Sequence, residues 1–144
     1  MSIFKPVNEK DAKGKVKKVF EDIKSTRNIK NIPNFWKSLA HSPETLERTW
    51  DNLKQIMKSG ALDPVTKELI YVAVSITNSC EYCIKSHTFA AKKKGATDQM
   101  LKEMIDVVGI ANQNNKLVES YQVQFDKIYK QKIKINLYGF RIYL

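Results

Sequence analysis

Residues 63–87 read DPVTKELIYVAVSITNSCEYCIKSH. Asp63-Pro64 is a helix-start signal. An aspartate oxygen accepts from the orphan amides of a first turn, and proline suits the first helical position, where no amide hydrogen is needed. The helix it opens runs to about Thr77 and is apolar almost all the way round, through Val65, Leu69, Ile70, Tyr71, Val72, Ala73, Val74 and Ile76. A helix apolar on every face is expected at the centre of a bundle. Ser79 stands where it can cap a second helix, from Cys80 to about Lys94, which Gly95 ends.

Working outward, the period stays helical. Val16, Val19, Phe20 and Ile23 follow i, i+3, i+4, i+7 and predict a helix over roughly residues 9–26, ended by the polar stretch Ser25–Asn28. After Pro33, Asn34 can cap a short helix from Phe35 to Ala40. Ser42-Pro43 repeats the cap-plus-proline signal, opening a helix with Leu46, Trp50, Leu53, Ile56 and Met57 on one face and Gly60 as its stop. Thr97 starts another helix with Met100, Leu101, Met104, Ile105, Val107 and Val108 facing in. A last one is expected over about residues 114–130, carrying Leu117, Val118, Tyr121, Phe125 and Ile128. Ile133, Ile135 and Leu137 then alternate with polar residues and Gly139 interrupts, the pattern of an extended tail or edge strand over residues 131–144. The expected fold is all-α, a bundle of about six to seven helices forming one domain over residues 1–130.

The 144 residues, with 42% hydrophobic, 28% charged, 5 Gly and 4 Pro, fit one folded domain and exclude collagen-like, disordered and linker-rich classes. The opening MSIFKPVNEKDAKGK has no apolar segment of the secretory kind, so a cytoplasmic location is expected. The longest charge-free run, Leu69–Cys80, falls well short of the ~20 residues of a membrane span, so no membrane partner is expected. Net charge is +10, the signature that often draws nucleic acid. Here the cations are spread along several segments, and residues 63–91 set Asp63, Glu68 and Glu81 against only Lys67 and Lys85. A solvated basic surface, with no nucleic-acid partner, is the expectation.

The chemistry concentrates at the start of the second helix. Cys80 and Cys83, at i and i+3, lie one turn apart on one face, and a helix N-terminus favours thiolate over thiol. His87, four residues after Cys83 and seven after Cys80, projects from the same stripe. The spacing thus assembles a nucleophile, a resolving thiol and a base on one helix face. The dipole favours Cys80 as the reactive thiol; proximity to His87 favours Cys83. Glu68, just past the first turn of the preceding helix, fits an exposed residue favoured by the dipole or a carboxylate held by a partner inside.

Other readings of these residues stay open. A free cysteine is commonly a small buried hydrophobe. Cys80, Cys83 and His87 are all possible zinc ligands, but a structural zinc site wants four, and the other histidine, His41, beside Ser42-Pro43, fits local packing or capping.

The segment Glu68-x6-Ser75-x2-Asn78-x-Cys80-x-Tyr82-Cys83-x3-His87 resembles the signature of the alkylhydroperoxidase D / carboxymuconolactone decarboxylase superfamily, in its peroxidase-related branch with tyrosine between the cysteines. Ile32-Pro33-Asn34 and Leu39-Ala40-His41-Ser42-Pro43 are also similar to that branch, and the resemblance covers about residues 30–125. It implies an all-helical subunit with the CxxC-bearing hairpin at its core, assembled as a homo-oligomer, a trimer or hexamer. It implies a thiol peroxidase cycle without a cofactor or metal, and an antioxidant role. Cys83 would attack a hydrogen peroxide or organic hydroperoxide substrate, Cys80 would resolve the sulfenic acid to a disulfide, and Glu68 and His87 would form the proton relay, with Tyr82, Ser75 and Asn78 in support. The reductant would be an external dithiol, a lipoyl- or thioredoxin-type protein. The chain departs from alkylhydroperoxidase D at Tyr82, where that enzyme has histidine. A phenol near pKa 10 donates a hydrogen bond but is a poor base at neutrality, so a relay here would run from Glu68 to His87, for instance through water. A general thiol–disulfide oxidoreductase and a non-enzymatic CxxC-His metal-binding or structural module are the alternatives; a lactone decarboxylase reading is disfavoured, because the true decarboxylase lacks the dithiol.

Overall fold

The computed structural model describes residues 4–126, 134–137 and 140–143; Ile128, Ile133 and Gly139 of the sequence reading lie outside them. Among the described residues a 3-10 turn, Glu9–Asp11, precedes six helices: α1 (Gly14–Arg27), α2 (Asn34–Leu39), α3 (Pro43–Met57), α4 (Pro64–Thr77), α5 (Glu81–Lys93) and α6 (Asp98–Ser120). An antiparallel pair follows, β1 (Lys134–Leu137) with β2 (Phe140–Tyr143), in the register Lys134↔Tyr143 to Leu137↔Phe140. The domain is all-α, as expected, and the described residues of the alternating tail, 134–137 and 140–143, are extended. No helix among the described residues is long and apolar enough to cross a membrane.

The chain divides into two compact units, Met1–Glu68 and Leu69–Leu144. In the first, α1 and α2 pack on α3 around Val16, Val19, Phe20, Ile23, Ile32, Trp36, Ala40, Leu46 and Trp50. Trp36 and Trp50 meet edge to face at 5.4 Å, and the Arg27 guanidinium lies over both rings at 5.6 and 5.4 Å. Trp50 Nε1–H donates to Asp22 Oδ2 at 2.7 Å, which satisfies the indole's polar atom at the edge of the core. Glu9 ties the N-terminal segment down: its carboxylate accepts from Ile32 N–H (2.8 Å), Lys24 Nζ (2.6 Å) and Lys37 Nζ (3.2 Å). His41 packs locally, with Nε2 2.8 Å from the Lys5 carbonyl oxygen and its ring against Phe4.

The cap-plus-proline signals are realised. Ser42 Oγ accepts from Thr45 N–H, and Asp63 Oδ1 accepts from Val65 and Thr66 N–H. The Thr66 hydroxyl and amide, with the Val65 amide, hold the Asp63 carboxyl below its ordinary value. The end of α3 is satisfied from α4, because Lys67 Nζ donates to the carbonyl oxygens of Ile56 and Lys58 at 2.7 and 2.8 Å.

In the second unit Ser75 and Val72 of α4, Ala91 of α5 and Leu101 and Val108 of α6 are buried. Asn112 of α6 donates to Thr77 Oγ1 at 3.2 Å, and Lys92 pairs with Asp98 at 2.7 Å across the α5–α6 turn.

Four expectations are corrected. Asp98–Ser120 is one helix, where a second was expected to begin near residue 114: no proline interrupts it, and Asn112 bonds back to the Val108 carbonyl at 2.9 Å. The N-cap of α2 is Pro33, not Asn34, which is the first helical residue. Ser79 does not cap α5; Cys80 does. Finally α4 is not buried all round in the single chain: Ile70 and Val74 are 48% and 55% exposed.

Candidate active site

The turn between α4 and α5 sets the site. Ser79 is left-handed, at φ 55°. Its N–H donates to the Ile76 carbonyl (3.0 Å), and Cys80 N–H donates to the Ser75 carbonyl (2.9 Å). These are the paired 5→2 and 6→1 bonds that close a helix C-terminus, with Ser79 in the place glycine usually takes and the exposed Asn78 just before it. The same motif, built on Asn28, Gly95 and Gln122, ends α1, α5 and α6. The 6→1 bond delivers Cys80 directly as N-cap of α5, where its Sγ accepts from Cys83 N–H at 3.4 Å.

Cys80 and Cys83 are joined as a disulfide, with Cα atoms 5.3 Å apart. Both are half-buried. Once reduced, their sulfurs would sit at the positive end of the α5 dipole, beside amides with no intrahelical partner, an environment that stabilises thiolate. Glu81, in the same first turn, is paired with Lys85, whose hydrogen bond and charge hold the Glu81 carboxyl below its ordinary value. Tyr82, between the cysteines, is 45% exposed.

His87 is half-buried one turn beyond Cys83 and stacks on Tyr71 of α4, ring centroids 3.5 Å apart and planes 14° apart. Ser75 is buried, and its hydroxyl donates to the Tyr71 carbonyl at 2.7 Å. Glu68 is also buried, 4% exposed, which removes the reading of it as a solvated first-turn residue. The structure therefore joins Cys80, Cys83, Ser75 and His87 through one set of contacts in the second unit, and Tyr71 is the member that sequence reasoning missed. Its signal was present: Glu68, Tyr71, Val72 and Ser75 follow i, i+3, i+4, i+7, one stripe of α4. Among the described residues no three or more His, Cys, Asp and Glu side chains gather as a metal site would need.

Comparison with known proteins bears on this arrangement. The crystal structure of the alkylhydroperoxidase AhpD core from Rhodospirillum rubrum superposes with a TM-score of 0.85 at 42% identity, covering 90% of this chain and 97% of that one. Uncharacterized protein 4 in the cox locus of Paracoccus denitrificans is 42% identical over 52 residues, 36% of this chain and 47% of its own length. Uncharacterized protein YdfG of Bacillus subtilis is 35% identical over 60 residues, 42% of this chain and 40% of its own. The matches thus span less than half the length of both curated relatives. The model of the carboxymuconolactone decarboxylase family matches residues 43–124, from the first residue of α3 through α6 and over the whole CxxC hairpin. With more than half its length matched and the fold shared, this chain belongs to the carboxymuconolactone decarboxylase family.

Proposed function

We propose that this protein is a thiol-dependent peroxidase with an antioxidant role, using Cys80 and Cys83 as its redox pair. The observation that carries the reading is the Cys80–Cys83 disulfide at the N-terminus of α5, with His87 one turn further along. The likeness to an alkylhydroperoxidase core supports it. In this reading the Cys83 thiolate attacks one oxygen of a hydroperoxide. The O–O bond breaks, the other oxygen, the one bearing the alkyl group, leaves as an alcohol (water, from hydrogen peroxide) with a proton from the Glu68/His87 relay, and Cys83, keeping the terminal oxygen, becomes a sulfenic acid. Cys80 then gives up its thiol proton and attacks the Cys83 sulfur, and the hydroxyl takes up a proton and leaves as water, giving the disulfide. An external dithiol, lipoyl- or thioredoxin-type, returns two electrons and two protons by exchange and is itself oxidised to a disulfide. Tyr82, a phenol in the place of a relay histidine, leaves proton transfer to Glu68 and His87.

Peroxide consumption by the reduced protein tests this. Cys83→Ser abolishes it, and Cys80→Ser allows one turnover that stalls at the sulfenic acid. Activity retained in Cys83→Ser rejects the assignment. A second reading, exchange with the disulfide of another protein, is favoured by Tyr82. Its ring, 45% exposed between the cysteines, offers a polypeptide an apolar contact that a small peroxide does not need.

The proposal includes self-association as a trimer or hexamer. At about 100° per residue, Ile110, Leu117 and the C-cap Tyr121 lie on the side of α6 opposite the buried Leu101 and Val108, with Val107 and Val118 flanking them. Each of the five is 44–78% exposed in the single chain. Apolar stripes of this kind mark interaction surfaces.

A further inference from the structure

We infer that Tyr71 is a positioning residue for His87: its ring fixes the plane of the imidazole one turn from Cys83, and the Ser75 hydroxyl donates to the Tyr71 carbonyl. The rings are stacked at 3.5 Å between centroids with 14° between planes, so the contact uses the π face of His87. The nitrogens of an imidazole lie on its edge, and proton transfer uses that edge. Face stacking therefore orients the ring without consuming a hydrogen-bonding atom, which a hydrogen-bonding neighbour would do.

Two further observations separate this contact from ordinary core packing. Tyr71 is 36% exposed, so it is not held by enclosure. Its backbone lies within α4, where the buried Ser75 adds a hydroxyl bond to the Tyr71 carbonyl one turn back at 2.7 Å. Ser75 uses its own carbonyl to accept Cys80 N–H at 2.9 Å. The chain of contacts closes on itself: Cys80 amide to Ser75, Ser75 hydroxyl to Tyr71, Tyr71 ring to His87, and His87 back along α5 to Cys83 and its bond to Cys80. A shift of the α4 end is thereby felt at both the thiol pair and the imidazole.

The inference rests on the reading of His87 as the group that activates Cys83, and the test keeps the two apart. The full-length reduced protein is alkylated with iodoacetamide at neutral pH, with the rate at each cysteine read by mass spectrometry, for wild type, His87→Ala, Tyr71→Leu and Tyr71→Phe. In parallel, the His87 ring protons are observed by NMR. The expected result is that His87→Ala slows alkylation at Cys83 and Tyr71→Leu slows it about tenfold, with Cys80 much less affected, while Tyr71→Phe stays within about twofold of wild type. The upfield ring-current shift of the His87 protons is expected in wild type and Tyr71→Phe and lost in Tyr71→Leu. A His87→Ala variant that alkylates at the wild-type rate overturns the His87 role itself. Slowing in His87→Ala with a wild-type rate in Tyr71→Leu overturns the inference alone. Absence of the upfield shift in wild type also overturns it, and that measurement needs no variant to fold.

Discussion

The amide of Cys80 donates to the carbonyl oxygen of Ser75 at 2.9 Å, and this bond makes one residue both the end of α4 and the cap of α5. Because it is the 6→1 bond of a helix-terminating motif, it places the first sulfur of the CxxC pair at the helix N-terminus with no intervening loop. The residue between them, Ser79, sits at φ 55°. The position of the thiols is thus set by backbone closure, and their reactivity follows from where that closure leaves them.

Relieving Ser79 should therefore stabilise the protein. A left-handed non-glycine residue costs roughly 1–2 kcal/mol, and glycine returns part of that as unfolded-state entropy. Ser79→Gly is expected to raise stability by about 0.5–1 kcal/mol and Ser79→Val to lower it by about 1–2 kcal/mol. Chemical denaturation of both variants checks this.

Glu9 predicts an acid-sensitive first unit. Burial pushes its carboxyl up, but the Lys24 hydrogen bond, the Ile32 amide and Lys37 outweigh burial and lower it from 4.5 to about 2. A carboxyl depressed in the folded state contributes stability that is complete above its unfolded value and is lost as pH falls toward its folded one. The contribution should be present at pH 7 and fade between pH 4.5 and about 2. Its size is about 1–2 kcal/mol once partial solvent screening is allowed for. Glu9→Gln should be less stable than wild type at pH 7 by about that amount, and the gap should narrow with acid; urea midpoints across the range measure it.

Self-association should fail when the outer face of α6 is charged. Ile110 and Val118 are 51% and 53% exposed, so a charge there costs the isolated fold little. Ile110→Glu with Val118→Glu should shift the sedimenting species to monomer with the far-UV spectrum unchanged. An oligomer that survives the double substitution would place the interface elsewhere.

What could be read from the sequence was what local chemistry decides. Ser42-Pro43, Asp63-Pro64, Thr97 and Gly95 bound the helices as expected, because caps and proline act within one turn. Left-handed termini at Asn28, Ser79 and Gln122 were hidden, since nothing about a serine or glutamine announces a positive φ that the surrounding bonds impose. The continuity of α6 was hidden for a related reason: Asn112 competes with a helix in isolation but here bonds within it and to Thr77. At the site, the CxxC–His stripe was legible as a helix period. The burial of Glu68 and the stacking of Tyr71 were not, because each depends on what packs against an element rather than on the element's own pattern.

The central claim, that Cys80 and Cys83 act together on peroxide, is tested most directly by intact mass with thiol trapping. Fully reduced protein is mixed with one equivalent of an organic hydroperoxide and alkylated at intervals. The account predicts that both thiols disappear together within seconds, with a loss of two hydrogens and an internal Cys80–Cys83 disulfide in the peptide map. Two thiols that remain alkylatable after the peroxide has been given time to react would contradict it.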